Sequence, residues 1–142
     1  MDGLKHFLDR RWIWLVILAW LLFGAWLLYA RWNYIAGFVL TDTDDNMRMS
    51  QVRALLAGQD WYDLRQYKLN PPFGANIHWS RLVDLPLAAL ITVAKLSTSG
   101  ANAERFAVTV APLVPYLLLA GALSVTARRL IHPAAFVLAL VT

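Results

Sequence analysis

The stretch WIWLVILAWLLFGAWLLYA, Trp12 to Ala30, runs nineteen residues without a charged side chain, with Lys5, Arg10 and Arg11 before it and Arg31 after it. At about 1.5 Å of rise per helical residue it covers roughly 30 Å, the thickness of one hydrocarbon core. This predicts a transmembrane helix over 12–31, and it constrains everything that follows. A cleaved signal peptide has an apolar region of only about 7–15 residues and ends in a small-x-small site. The sequence LLYARW offers no such site. Trp12, Trp14 and Trp32 fall near the two expected membrane interfaces, where an indole can bury its apolar body and keep its N–H near water.

The rest of the chain agrees with a membrane setting. Of its 142 residues 59% are hydrophobic and 15% charged, too apolar a balance for an ordinary soluble domain. There is no cysteine, which excludes a disulfide framework, thiolate catalysis and thiolate metal sites. A formal charge of +4 invites a nucleic-acid reading, but the chain has no basic run and no nucleic-acid-binding motif, so no nucleic-acid partner is expected.

A second apolar segment, FAVTVAPLVPYLLLAGALSVTA, predicts a transmembrane helix over 106–127, kinked by Pro112 and Pro115. Basic residues flank the two spans on what would be one side: Lys5, Arg10 and Arg11, then Arg128 and Arg129. The positive-inside bias places residues 1–11 and a short turn at 128–132 in the cytoplasm, and residues 32–105 outside. After Pro133 a third apolar run begins, and its ten residues to Thr142 rise only about 15 Å. Residues 133–142 are therefore expected to open a third transmembrane helix of a longer polytopic protein. The expected fold class is an all-α membrane protein, multi-pass in the cell (inner) membrane. Its transmembrane helices would be joined by a large external first loop containing short interfacial helices.

Two such helices are expected within the loop. In DDNMRMSQVRALLAG, Thr43 can cap a helix over about 44–57, acids occupy its first turn, and Met49, Val52 and Leu56 form an apolar stripe suited to the membrane surface. Asp44, Arg48 and Gln51 share another face. LPLAALITVAKL, over about 85–96, is too short to span and reads as interfacial or re-entrant, while PPFG marks a turn or extended break.

The loop opens on TDTDDNMRMSQ, which places Asp42, Asp44 and Asp45 within four positions. Acids at a helix N-terminus are favoured by capping and by the helix dipole, each by roughly 0.3–1 kcal/mol, and need no further role. Three of them together also repel one another, and a nearby cation or metal would offset that repulsion.

An outward loop with paired acids after the first span, then RALLAGQDWYDL, then NPPFGANIHW, then an apolar helix leading to the next span, resembles the first external loop of GT-C fold glycosyltransferases. These polytopic enzymes take sugars from polyprenyl-phosphate or polyprenyl-diphosphate lipids; protein O-mannosyltransferases, aminoarabinose transferases and oligosaccharyltransferase catalytic subunits are of this type. The specific matches lie within about residues 42–90. The resemblance implies Asp44 as the catalytic or metal-binding acid, Asp45 as its partner, and Asp42 as the alternative in a shifted register. It also implies a polyprenyl-linked sugar donor, contact with membrane lipids, an acceptor of unspecified identity, and Mg²⁺ or Mn²⁺ where the paired acids hold a metal.

Arg48 and Arg81 are the candidate ligands for the lipid phosphate, with pairing to Asp44, Asp45 or Asp84 as the structural alternative. His78 is a candidate proton carrier, metal ligand or substrate-binding residue, although a lone histidine more often has a structural role. Trp79 is expected to anchor or pack, Trp61 and Tyr62 to meet the bilayer, and His132 to be solvated. Ser80 lacks the partners of a nucleophilic triad. A non-enzymatic assembly or regulatory subunit is the main competing function. A transporter fragment is disfavoured because the charges cluster in a loop rather than within spans.

Overall fold

The computed structural model describes residues 2–40 and 42–140; Met1, Thr41, Val141 and Thr142, including the last two positions of the expected third run, lie outside it. The described chain is mostly helical, with α1 Asp2–Ala30, α2 Trp32–Gly37, α3 Thr43–Leu56, α4 Asp84–Ala94, α5 Gly100–Val110 and α6 Leu113–Leu130. A two-residue β-hairpin, β1 Arg65–Gln66 against β2 Ala75–Asn76, and 3-10 turns at Arg81–Val83 and Pro133–Leu140 complete it. The chain divides into two compact units, Met1–Trp32 with Pro112–Thr142, and Asn33–Ala111.

Two stretches, Arg10–Ala30 and Gly100–Leu130, are long and apolar enough to cross a membrane by length and composition. The second is not one regular helix. It is interrupted at Ala111-Pro112, between α5 and α6, where a kink within 106–127 was expected. Pro112 removes the N–H that would continue α5. Pro115 causes no further break, because it is the third residue of α6 and the first-turn N–H groups have no intrahelical acceptor anyway.

In the first unit, α1, α6 and the Pro133–Leu140 segment share a small core of Val16, Ala120 and Phe136. Ala120, Ser124 and Ala127 recur at i, i+4 and i+7 on α6 and are all buried, so small side chains let neighbouring backbone approach closely. Phe23 stacks on Tyr116 with centroids 4.7 Å apart, and Trp20 Nε1 donates to the Leu113 carbonyl at 2.8 Å. Arg128 near the end of α6 lies over Trp12 at 5.0 Å and donates to the Pro133 carbonyl. His132 is exposed, and its Nδ1 accepts the Ala134 N–H. The residues expected to open a third transmembrane helix, as far as they are described, form a 3-10 segment whose Phe136 is fully buried beside Trp12.

In the second unit, α3, α4 and α5 enclose a cluster of Met49, Val52, Ala88, Ile91, Ala94, Ala103 and Ala107. Here the reading of the α3 stripe needs correction. Met49 and Val52 are buried within this helical cluster, whereas Leu56 is partly exposed. The alanines of α4 and α5 supply a partner surface that an isolated amphipathic pattern could not reveal. Arg53 on α3 grips Glu104 on α5 through two bonds, at 3.0 and 2.6 Å. The hairpin loop holds a cis Pro71-Pro72 bond and turns back through Gly74 at φ +72°. A Cβ at Gly74 would stand 3.1 Å from the Tyr67 ring and 3.2 Å from the Arg65 Cβ, so this position needs both the conformational freedom and the small size of glycine.

Candidate functional site

The acidic cluster divides into one structural acid and two unengaged ones. Asp42, not Thr43, is the N-cap of α3: its backbone is extended, and its carboxylate accepts the Asp44 N–H at 3.1 Å and the Thr43 hydroxyl at 3.2 Å. Thr43 is already the first helical residue. The Asp44 amide, followed by the Thr43 hydroxyl, holds the Asp42 carboxyl below its ordinary value. Asn46 fastens the chain entering α3 by donating to the carbonyls of Asp42, at 2.7 Å, and Leu40, at 3.1 Å. Asp44 and Asp45 sit in the first turn, where the helix dipole favours them, and both are exposed. No hydrogen bond or ion pair joins either carboxylate to another described residue.

The two arginines have different roles. Arg81 is 2% exposed, its Nη1 donating to the Gln51 carbonyl at 3.0 Å and its Nη2 to the Asp63 carbonyl at 2.7 Å. It ties α3 to the turn before β1 and lies 3.6 Å from Asp84. Arg81 is thus built into the fold as a clasp. Arg48, one helical turn beyond Asp44, bonds Asp84 Oδ1 through Nη1 at 3.0 Å and lies over the Trp79 ring at 4.7 Å.

Asp84 was legible only as one of several ion-pair partners; the structure makes it the shared ion-pair partner of both arginines, hydrogen-bonded to Arg48. The signal was the i, i+3 spacing of Arg81 and Asp84 in SRLVD. Gln51 and Gln66 are buried polar residues that sequence reading missed in this role. Gln51 Nε2 donates to the Leu64 carbonyl at 3.0 Å, joining α3 to the hairpin. No periodicity or motif distinguishes them from surface glutamines.

His78 is exposed, with its ring 6.1 Å from Trp79 in an edge-on arrangement. Trp79 is partly buried beneath Arg48, so it packs as expected, though against a cation. Ser80 caps the 3-10 turn by accepting the Leu82 N–H at 3.2 Å. Trp61, Tyr62, Leu64, Ser80, Arg81 and Leu82 line an open cavity of about 310 Å³.

Among the described residues, no group of three or more histidine, aspartate or glutamate side chains is arranged to hold a metal. Asp44 and Asp45 alone supply two carboxylates; Mg²⁺ needs about six oxygen ligands, so water and substrate phosphate would have to provide the rest. No protein-family model, curated protein or solved structure matches the chain.

Proposed function

We propose that the chain belongs to an integral membrane glycosyltransferase, multi-pass in the cell (inner) membrane with its N-terminus cytoplasmic. It would move a sugar from a polyprenyl-linked donor to an acceptor at the external face. The membrane setting is supported by two apolar stretches of which only 11% is buried inside the structure, whereas an all-round apolar helix in a water-soluble domain is a covered one. The observation that carries the chemistry is the division of labour among the acids. Asp42 supplies the cap, so Asp44 and Asp45 are not needed for that purpose and remain exposed at the start of a helix whose other side is packed.

In this reading Asp44 accepts the proton of the acceptor hydroxyl as its oxygen attacks the anomeric carbon, and the bond from that carbon to the lipid phosphate breaks. Arg48, one turn along the same helix, meets the negative charge that develops on the departing phosphate. Asp45 adds to the negative field, and His78 stands as an exposed substrate-binding candidate.

The test is Asp44→Asn in the protein expressed from its natural gene and assayed with a polyprenyl-linked sugar donor. Transfer should fall by about 10²–10⁴-fold with membrane insertion unchanged, because asparagine keeps the shape but cannot accept the proton. The cap is not touched, since Asp42 supplies it. Full activity in Asp44→Asn would refute the assignment.

A further inference from the structure

Asp84 is a carboxylate withdrawn from water that serves two cations, with its side chain 3% exposed. Burying a charge is costly unless it is paired and hydrogen-bonded, so the geometry of its partners shows what is gained. Those partners are unequal. Arg81 spends both terminal nitrogens on backbone carbonyls and approaches Asp84 only at 3.6 Å. Arg48 gives Asp84 one nitrogen at 3.0 Å and places its guanidinium carbon over the Trp79 ring, 4.7 Å from the centroid, and its side chain remains 23% exposed. Its Nε and Nη2 have no partner among the described residues.

Two contacts of different kinds therefore fix one guanidinium. The Trp79 ring bounds it on one side, and the Asp84 oxygen anchors its Nη1. An arginine on the surface of an exposed helix would sample many rotamers, and each phosphate it captured would have to repay that freedom. Arg48 has given it up in the fold. Two arginines against one aspartate also leave this cluster one positive charge in excess, which suits an anion.

We propose that Asp84, with Trp79, is a positioning residue that holds the free edge of Arg48 toward the departing phosphate of a polyprenyl-linked donor, one helical turn from Asp44. This deepens, and rests on, the glycosyltransferase reading. It makes a prediction opposite in sign to simple charge balance. If Asp84 acted on a bound phosphate only through its own charge, neutralising it would tighten phosphate binding; if it positions Arg48, neutralising it weakens binding.

The experiment uses the protein expressed from its natural gene, in phosphatidylcholine nanodiscs. It measures binding of undecaprenyl phosphate, a probe that carries the phosphate without a sugar. Arg48→Gln should weaken binding about tenfold or more, as loss of a charge-assisted hydrogen bond does. Asp84→Asn should weaken it several-fold, and should have no further effect in an Arg48→Gln background, because it acts through Arg48. Trp79→Leu, which leaves the buried ion pairs in place, should weaken binding in the same direction and keeps the test open if Asp84→Asn does not fold. Tighter or unchanged binding in Asp84→Asn, or effects of Asp84 and Arg48 that simply add, would overturn the positioning role. Absence of sugar transfer by the unmutated protein while the binding pattern holds overturns the glycosyltransferase reading alone, and transfer that survives Asp44→Asn overturns only the role of Asp44 as proton acceptor. Asp44-dependent transfer without the binding pattern overturns the positioning role alone.

Discussion

In the unit formed by Met1–Trp32 and Pro112–Thr142, Trp14, Leu22, Trp26, Tyr29, Leu118 and Ile131 are each more than half exposed, and the one buried polar side chain among the described residues is Ser124. In the unit Asn33–Ala111, Gln51, Gln66, Arg81 and Asp84 are buried beside an apolar cluster that includes Met49, Val52 and Ile91. The first unit therefore resembles a water-soluble domain turned inside out, with large apolar groups outward and small residues between its packed segments. The second withdraws charge from solvent and satisfies it internally. This is the contrast expected if the first unit is solvated by lipid and the second supports a polar site. A lipid-facing surface asks little of its individual side chains, whereas a buried ion cluster asks much of each member.

The largest effect should therefore follow from breaking the ion cluster. Arg81→Met removes the donors to Gln51 and Asp63 and leaves Asp84 with Arg48 alone. Removing one partner of a buried pair costs about 3–5 kcal/mol. Hydrogen exchange should show loss of protection across α3 and the hairpin, while α1 exchanges as before. If protection in α3 is unchanged, the buried cluster is not what holds this unit together.

Apolar truncations sharpen the comparison at a smaller scale. Ile91 is fully buried in the α3–α4–α5 cluster, so Ile91→Ala should cost about 2–5 kcal/mol in chemical or thermal unfolding of that unit. Leu22, 64% exposed on α1, should tolerate alanine to within roughly 0.5 kcal/mol. Equal costs at the two positions would mean that Leu22 is covered in the assembled protein, and that the first unit is not simply facing lipid.

These contrasts also show what could be read in the sequence. Where one helix carries its own signal, the reading was close: a helix expected over 44–57 is Thr43–Leu56, and one expected over 85–96 is Asp84–Ala94. The charge-free run gave α1, and the double proline marked a disruption that became a full interruption at Ala111-Pro112. What failed was the identity of partners. Met49 and Val52 form a stripe that fits a membrane surface or a helix equally well, and only α4 and α5, through Ala88, Ala103 and Ala107, decide between them. Alanines carry no periodic hydrophobic signal strong enough to announce that role. For the site, Asp84 was visible as a partner for either arginine, but its service to both, and the commitment of Arg81 to backbone carbonyls, depend on long-range geometry that one sequence cannot specify. The cap was misplaced by one residue because Asp42 and Thr43 are both good N-caps, and only the extended backbone at Asp42 decides between them.

The smallest predicted effect lies at that cap and tests the division of the acids directly. The Asp44 amide, with the Thr43 hydroxyl, holds the Asp42 carboxyl below its ordinary value, so the charged form is favoured more in the folded chain than in the unfolded one. The contribution is therefore fully present above the unfolded aspartate value of about 3.9 and is lost as pH falls through the folded value. Protection of the Asp44 amide, corrected for intrinsic exchange, should fall over that acidic window. Asp42→Asn should flatten this pH dependence while keeping most of the protection at neutral pH, because the amide oxygen of asparagine can still accept the bond but does not titrate there. Asp44→Asn and Asp45→Asn should leave the dependence in place, since neither carboxylate bonds an amide of this turn. If Asp44→Asn instead removed it, Asp44 would itself be serving the helix start, and the separation of one structural acid from two available ones would fail even before any transfer assay was run.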